Sequence, residues 1–106
     1  MPPIVYDPPD KSNHMRNPFN TFIMQNAHTG HTASQVYSWR IKVGTMPNGY
    51  NLYPGTEILS NGNNQQYDPA VTGLPGNNTL CYTKVEYRQV ANGPWYSGAS
   101  QTFRCN

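Results

Sequence analysis

Residues 35–43 read Gln35-Val36-Tyr37-Ser38-Trp39-Arg40-Ile41-Lys42-Val43, and within them Tyr37, Trp39, Ile41 and Val43 alternate with Ser38, Arg40 and Lys42. A period of two sends successive side chains to opposite faces of an extended chain. The stretch is therefore expected as a central strand with Trp39 turned inward. Directly downstream, Gly44-Thr45-Met46-Pro47-Asn48-Gly49 is a cluster of turn formers, and Asn48-Gly49 favours the positive φ angles of a tight reversal into a short strand at 50–53.

The same reading extends in both directions. Upstream, Phe19, Thr21, Phe22, Ile23 and Met24 form an apolar run over 19–25 short enough for a buried strand, followed by a polar loop over 26–34. Pro2, Pro3, Pro8, Pro9 and Pro18 keep residues 1–18 from making a continuous ladder, so they are expected as an irregular lead-in segment or an edge strand around Ile4-Val5-Tyr6. Downstream, 56–59 and 65–71 are further short strands, the latter at a sheet edge because of Pro69, and 79–90 is a long one. A last hairpin turns through Ala91-Asn92-Gly93-Pro94 and returns through Trp95-Tyr96 to Phe103, with 100–105 read as its closing strand, and on 79–90 the face carrying Cys81, Thr83, Val85 and Tyr87 is the core candidate, with Tyr82, Lys84 and Glu86 opposite.

About seven short strands without a helical period predict an all-β fold, an antiparallel β-sandwich, with a small barrel as the alternative. The 106 residues are the size of one domain, with 19–106 forming the sandwich. Gly, Pro and Asn make up 32 of them, which excludes a helical bundle. Leu, Ile, Val and Phe number only 17, so eight Tyr and two Trp must supply much of the core.

The formal charge of +2 rests on seven Lys and Arg that form no cluster in sequence, which argues against nucleic acid as a partner. No apolar run approaches the roughly 18 residues of a membrane span, so no membrane insertion is expected. A surface rich in Asn, Gln, Ser, Thr and Tyr and poor in charge matches extracellular, cell-surface or periplasmic proteins.

Cys81 and Cys105 are the only cysteines, without C-x-x-C spacing. A hairpin centred on Gly93 sets residue 81 opposite residue 105, which predicts a disulfide; the competing reading is two buried thiols. Such a bridge closes a loop of about 25 residues and contributes roughly 3–4 kcal/mol in the chain-entropy model.

The string Trp39-Arg40-Ile41-Lys42-Val43-Gly44-Thr45-Met46-Pro47-Asn48-Gly49-Tyr50-Asn51-Leu52-Tyr53 resembles strand C, tight turn and strand C′ of bacterial secreted fibronectin type III-like or immunoglobulin-like modules. Val71-Thr72-Gly73-Leu74-Pro75, Leu80-Cys81-Tyr82-Thr83-Lys84-Val85 and Gly93-Pro94-Trp95 are similar to the E–F corner, strand F and the F–G hairpin. The resemblance implies a spacer, adhesion unit or accessory module of secreted and surface proteins, without catalysis of its own. It departs from the family in its long polar 26–34 loop and in the placement of its two cysteines.

The acids Asp7, Asp10, Glu57, Asp68 and Glu86 show no spacing that aims two of them at one bond, so no enzyme and no cofactor are expected. Tyr50, Tyr53, Trp95 and Tyr96, with Asn51 and Asn92, lie at turns and short strands, where ring faces and amides suit sugar binding. His28 and His31 stand three apart on a polar loop and are the candidate metal ligands. Asn77-Asn78-Thr79 is a glycosylation acceptor sequence on a turn. The leading expectation is a non-catalytic structural or adhesive module of a surface protein, fibre or particle. Its partners are other domains or subunits, joined by strand addition through residues 1–11. The alternative is a carbohydrate-binding module or lectin.

Overall fold

In the computed structural model, residues 4–5, 9–13, 20–22, 24–25, 35–60, 66–67, 70–71 and 73–105 are described. Among them there is no α-helix, and nine strands run in chain order: β1 (Asn20–Thr21), β2 (Met24–Gln25), β3 (Ser38–Gly44), β4 (Ile58–Leu59), β5 (Gln66–Tyr67), β6 (Ala70–Val71), β7 (Thr79–Arg88), β8 (Tyr96–Ser97) and β9 (Gln101–Cys105). Five of them form the main sheet in the order β4-β3-β7-β8, with β9 also on β7. Every ladder between named strands is antiparallel, and two-stranded ladders join β1 to β6 and β2 to β5.

The alternation read at 35–43 organises the centre of this sheet. β3 pairs with β7 over seven consecutive residues, from Ser38 with Arg88 to Gly44 with Tyr82. That register puts Trp39 beside Tyr87, Ile41 beside Val85 and Val43 beside Thr83, all buried on one face. Phe103 and Cys105 of β9 join the same core, together with Val5, Val36, Phe22 and Val71. The rings interlock: Trp39 and Tyr87 have centroids 5.6 Å apart, and Phe22 meets Phe103 edge-on at 5.4 Å. Each aromatic pair adds about 0.5–1.5 kcal/mol beyond its buried area.

Tyr37 departs from the expected alternation. Its N–H donates to the carbonyl of Arg88, although Arg88 is the ladder partner of Ser38, so two residues of one strand face one of the other. A bulge of this kind reverses the facing of the residues before it. Val36 is thereby buried and Tyr37 exposed.

The turns follow their residues. Pro47 precedes Asn48 at φ 61°, and Gly49 N–H donates to the Met46 carbonyl, the pattern of a type II turn. The positive φ thus falls on Asn48. Residues 50–53 are not a strand; they close on β3 by a bridge from Tyr53 to Val43. Asn77 and Asn78, both with positive φ, reverse the chain into β7.

Beyond Asn92, β8 pairs Tyr96 with Tyr87, and β9 then pairs Cys105 with Thr79 and Cys81 with Phe103. The hairpin centre sits one residue earlier than Gly93, so the two cysteines are diagonal neighbours rather than direct partners. A shift of two positions keeps both on the inner face, and their buried thiols stand with Sγ atoms 3.3 Å apart. Burial pushes the Cys81 thiol upward, partly offset by its hydrogen bond with Cys105.

The lead-in segment is tied to β9. Ser12 makes a parallel bridge with Phe103, Lys11 N–H donates to the Thr102 carbonyl, and Arg104 N–H donates to the Ser12 carbonyl. Val5 is not in a strand. Its N–H donates to the side-chain oxygen of buried Gln101, whose amide nitrogen donates back to the Val5 carbonyl.

Gly44 is where the 49–51 segment crosses β3 most closely. A Cβ there would stand 2.1 Å from the Gly49 carbonyl oxygen and 2.6 Å from the Tyr50 Cα, both backbone atoms with no freedom to swing away. Gly44→Ala is expected to destabilise the fold by about 1–3 kcal/mol by overpacking, read as a lower midpoint in urea with unchanged slope.

Candidate functional site

Because one face of β3 and β7 fills the core, the intervening residues share the outer face: Ser38, Arg40 and Lys42 from β3, and Leu80, Tyr82, Lys84, Glu86 and Arg88 from β7. The register sets Arg40 opposite Glu86 and Lys42 opposite Lys84. Arg40 Nε donates to Glu86 Oε1 at 2.6 Å, while the Lys42 and Lys84 ammonium groups stand 3.4 and 3.8 Å from the same carboxylate. One nearly buried carboxylate thus serves three cations. Its desolvation pushes the Glu86 pKa up, but the Arg40 hydrogen bond and the charges of Arg40, Lys42 and Lys84 outweigh it and hold the carboxyl below its ordinary value.

A second cluster lies beside the β4 edge. Arg88 holds Glu57 in a forked pair, with Nε donating to Oε2 at 2.8 Å and Nη2 to Oε1 at 2.7 Å, and the Ser38 hydroxyl donates to Glu57 Oε2 at 2.5 Å. The Ser38 and Arg88 hydrogen bonds lower the Glu57 pKa. Trp95 sits beneath both arginines, its ring centroid 3.9 Å from the Arg40 guanidinium carbon and 4.8 Å from that of Arg88. Such contacts hold a cation in place as well as attracting it.

At the other end of the face, the Lys84 ammonium lies 5.5 Å from the centre of the Tyr50 ring, and the Tyr50 and Ser100 hydroxyls are hydrogen-bonded at 3.1 Å. Tyr50 and Trp95 therefore flank the same row of charges. The other four residues of the sequence-derived sugar platform lie elsewhere. Tyr53 packs against the core, and Tyr96 stacks on Tyr87 at 5.2 Å from the core side. Asn51 accepts hydrogen bonds from Thr45, and exposed Asn92 occupies a turn at φ 61°. Asn77 of the acceptor sequence is exposed on its turn. His28 and His31, the candidate metal ligands, lie outside the described residues.

Arg40, Lys42, Lys84 and Arg88 were not singled out from sequence, because they are scattered along the chain and only the ladder gathers them. A signal was present in the shared parity of Arg40 with Lys42 and of Lys84 with Arg88, which places each pair on one face of its strand. No family model, no curated protein and no solved structure matches the chain.

The depressed Glu86 pKa links stability to pH. The unfolded group titrates near 4.5 and the folded group lower, so the stabilisation is fully present above that value and is lost as pH falls through the folded one. Glu86→Gln is expected to cost about 1.5–3 kcal/mol at neutral pH, the range for a charge-assisted hydrogen bond. The gap between variant and wild-type melting temperatures should narrow on acidification to about pH 3. A gap independent of pH would show that the carboxylate charge does not matter.

Proposed function

We propose that the chain is a non-catalytic structural and adhesive module of an extracellular surface protein, fibre or particle, built as a β-sandwich of the fibronectin type III-like or immunoglobulin-like kind. The observation that carries this reading is the outer face of the main sheet, a preformed surface on which arginines and lysines are held by Glu57, Glu86, Trp95 and Tyr50. Rigid side chains lose little freedom on contact, which favours recognition. The sandwich form is supported by Phe22 and Val71, which reach the core from the side of the β1–β6 ladder and meet the inner face of the main sheet.

Assembly by strand addition draws support from the lead-in segment. The edge of β9 is occupied by residues 10–12 of the same chain, and Gln101 grips the Val5 backbone. The same donors and acceptors fit the segment of a second copy, the arrangement of an exchanged strand. A second reading, carbohydrate binding, is favoured by the paired Tyr50 and Ser100 hydroxyls beside the outer-face charges.

An extracellular setting also accords with a Cys81–Cys105 disulfide, since the sulfurs already lie in contact on the inner face. Oxidation in air is expected to remove two hydrogens from the mass and to raise stability by about 2–4 kcal/mol over the reduced protein. Two alkylatable thiols persisting after unfolding of the oxidised sample would refute the bridge.

The adhesive reading is tested by screening the protein against arrays of polysaccharides and extracellular matrix proteins, beside the double variant Arg40→Ser with Trp95→Ala. Selective retention on at least one polymer, weakened about tenfold in the variant at unchanged circular dichroism, is expected from the loss of two central contacts. Absence of any retention, or full retention by the variant, contradicts it.

A further inference from the structure

We propose that the ligand of the outer face is an acidic polysaccharide, with Lys42 and Lys84 as the pair that binds its carboxylate or sulfate groups. The inference rests on the reading of this face as the contact surface and adds the chemistry of what it contacts.

The charge on this face is unbalanced. It carries five of the seven Lys and Arg, namely Arg40, Lys42, Lys84, Arg88 and Arg104, against the carboxylates Glu57 and Glu86. Among the described residues, five cations less two carboxylates leave +3 on this face. The surplus is also localised. Arg88 is matched by Glu57 in a forked pair, whereas Arg40, Lys42 and Lys84 share Glu86. Among the described residues, three cations thus share one carboxylate around the Lys42–Lys84 pair, an excess of two positive charges.

Two lysines directly opposite one another across an antiparallel ladder repel, and the Glu86 carboxylate, shared with Arg40, relieves this only in part. An anion lying between them would relieve the repulsion, and the flexible ammonium groups suit a point-charge contact with carboxylate or sulfate.

The surroundings favour a polyhydroxylated anion. Beside the lysines stand the Tyr50 and Ser100 hydroxyls and the outward Thr102, groups that exchange hydrogen bonds with sugar hydroxyls. The aromatic rings already carry cations, with Lys84 over Tyr50 and two guanidinium groups over Trp95. They act as supports for charge, unlike the open stacking platforms that bind single-stranded nucleic acid.

The test measures retention of the protein on immobilised polygalacturonate and dextran sulfate, with neutral dextran and single-stranded DNA as comparisons, at several salt concentrations. The wild type is expected to be held by the acidic polysaccharides, to elute as salt screens the charges, and to pass through dextran. Lys42→Gln with Lys84→Gln should weaken retention about tenfold, and Lys11→Gln, an exposed cation on the lead-in segment, should change it less than about twofold. Thermal melting of the double variant should stay close to that of the wild type, because the lost Lys42–Lys84 repulsion is offset by the lost attraction of both ammonium groups to Glu86. Equal losses in the Lys11 and Lys42/Lys84 variants, equal retention on dextran, tighter retention on DNA, or no retention on the acidic polymers would each overturn the inference. If another polymer is held through Arg40 and Trp95 while the lysine variant binds normally, this inference falls and the adhesive reading stands. If neither set of substitutions affects any binding, both fall.

Discussion

Seven consecutive residues of β3 find their partners on β7, and nearly everything else in the molecule is placed by that ladder. It puts Trp39, Ile41 and Val43 with Tyr87, Val85 and Thr83 on the core side and consigns Arg40, Lys42, Lys84, Glu86 and Arg88 to the other. A slip of one residue would turn β3 over relative to β7, burying Arg40 and Lys42 and exposing Trp39, Ile41 and Val43. The cost of unpaired charge in an apolar interior makes that alternative prohibitive. Core and charged outer face are therefore two consequences of one register.

The remaining elements serve to close the edges of this pair. β4 covers one side of β3, and the crossing at Gly44 brings the 49–53 segment onto it through hydrogen bonds with Val43. On the far side, β8 and β9 share the free edge of β7, and residues 10–12 cover β9 in turn. The Gln101 side chain imitates a strand for Val5, donating and accepting as a backbone would. An edge closed by a short segment of the same chain is protected from unintended pairing.

Strong periodicity was legible from residues alone. The inward set of β3, the core face of β7 and the turn at Asn48 follow directly from alternation and turn chemistry. Short strands were legible only in outline, because two-residue elements such as β4 and β8 owe their existence to a neighbour's ladder rather than to their own propensity. The reversal at Tyr37 depends on a bulge that no local pattern announces, and the cysteine register depends on the hairpin centre, which lay one residue from its expected place. The candidate site was half legible. Tyr50 and Trp95 stood out as aromatics at turns, whereas the cations between them become a cluster only when two strands far apart in sequence are paired.

The most direct measurement is the pattern of cross-strand Hα contacts between β3 and β7, read by nuclear Overhauser effects on isotopically labelled protein. Contacts following the register of Trp39 with Tyr87, Ile41 with Val85 and Val43 with Thr83 are expected. A pattern displaced by one residue, linking Ile41 to Glu86 or Lys84, would contradict the two-faced sheet and remove the basis for the cationic surface.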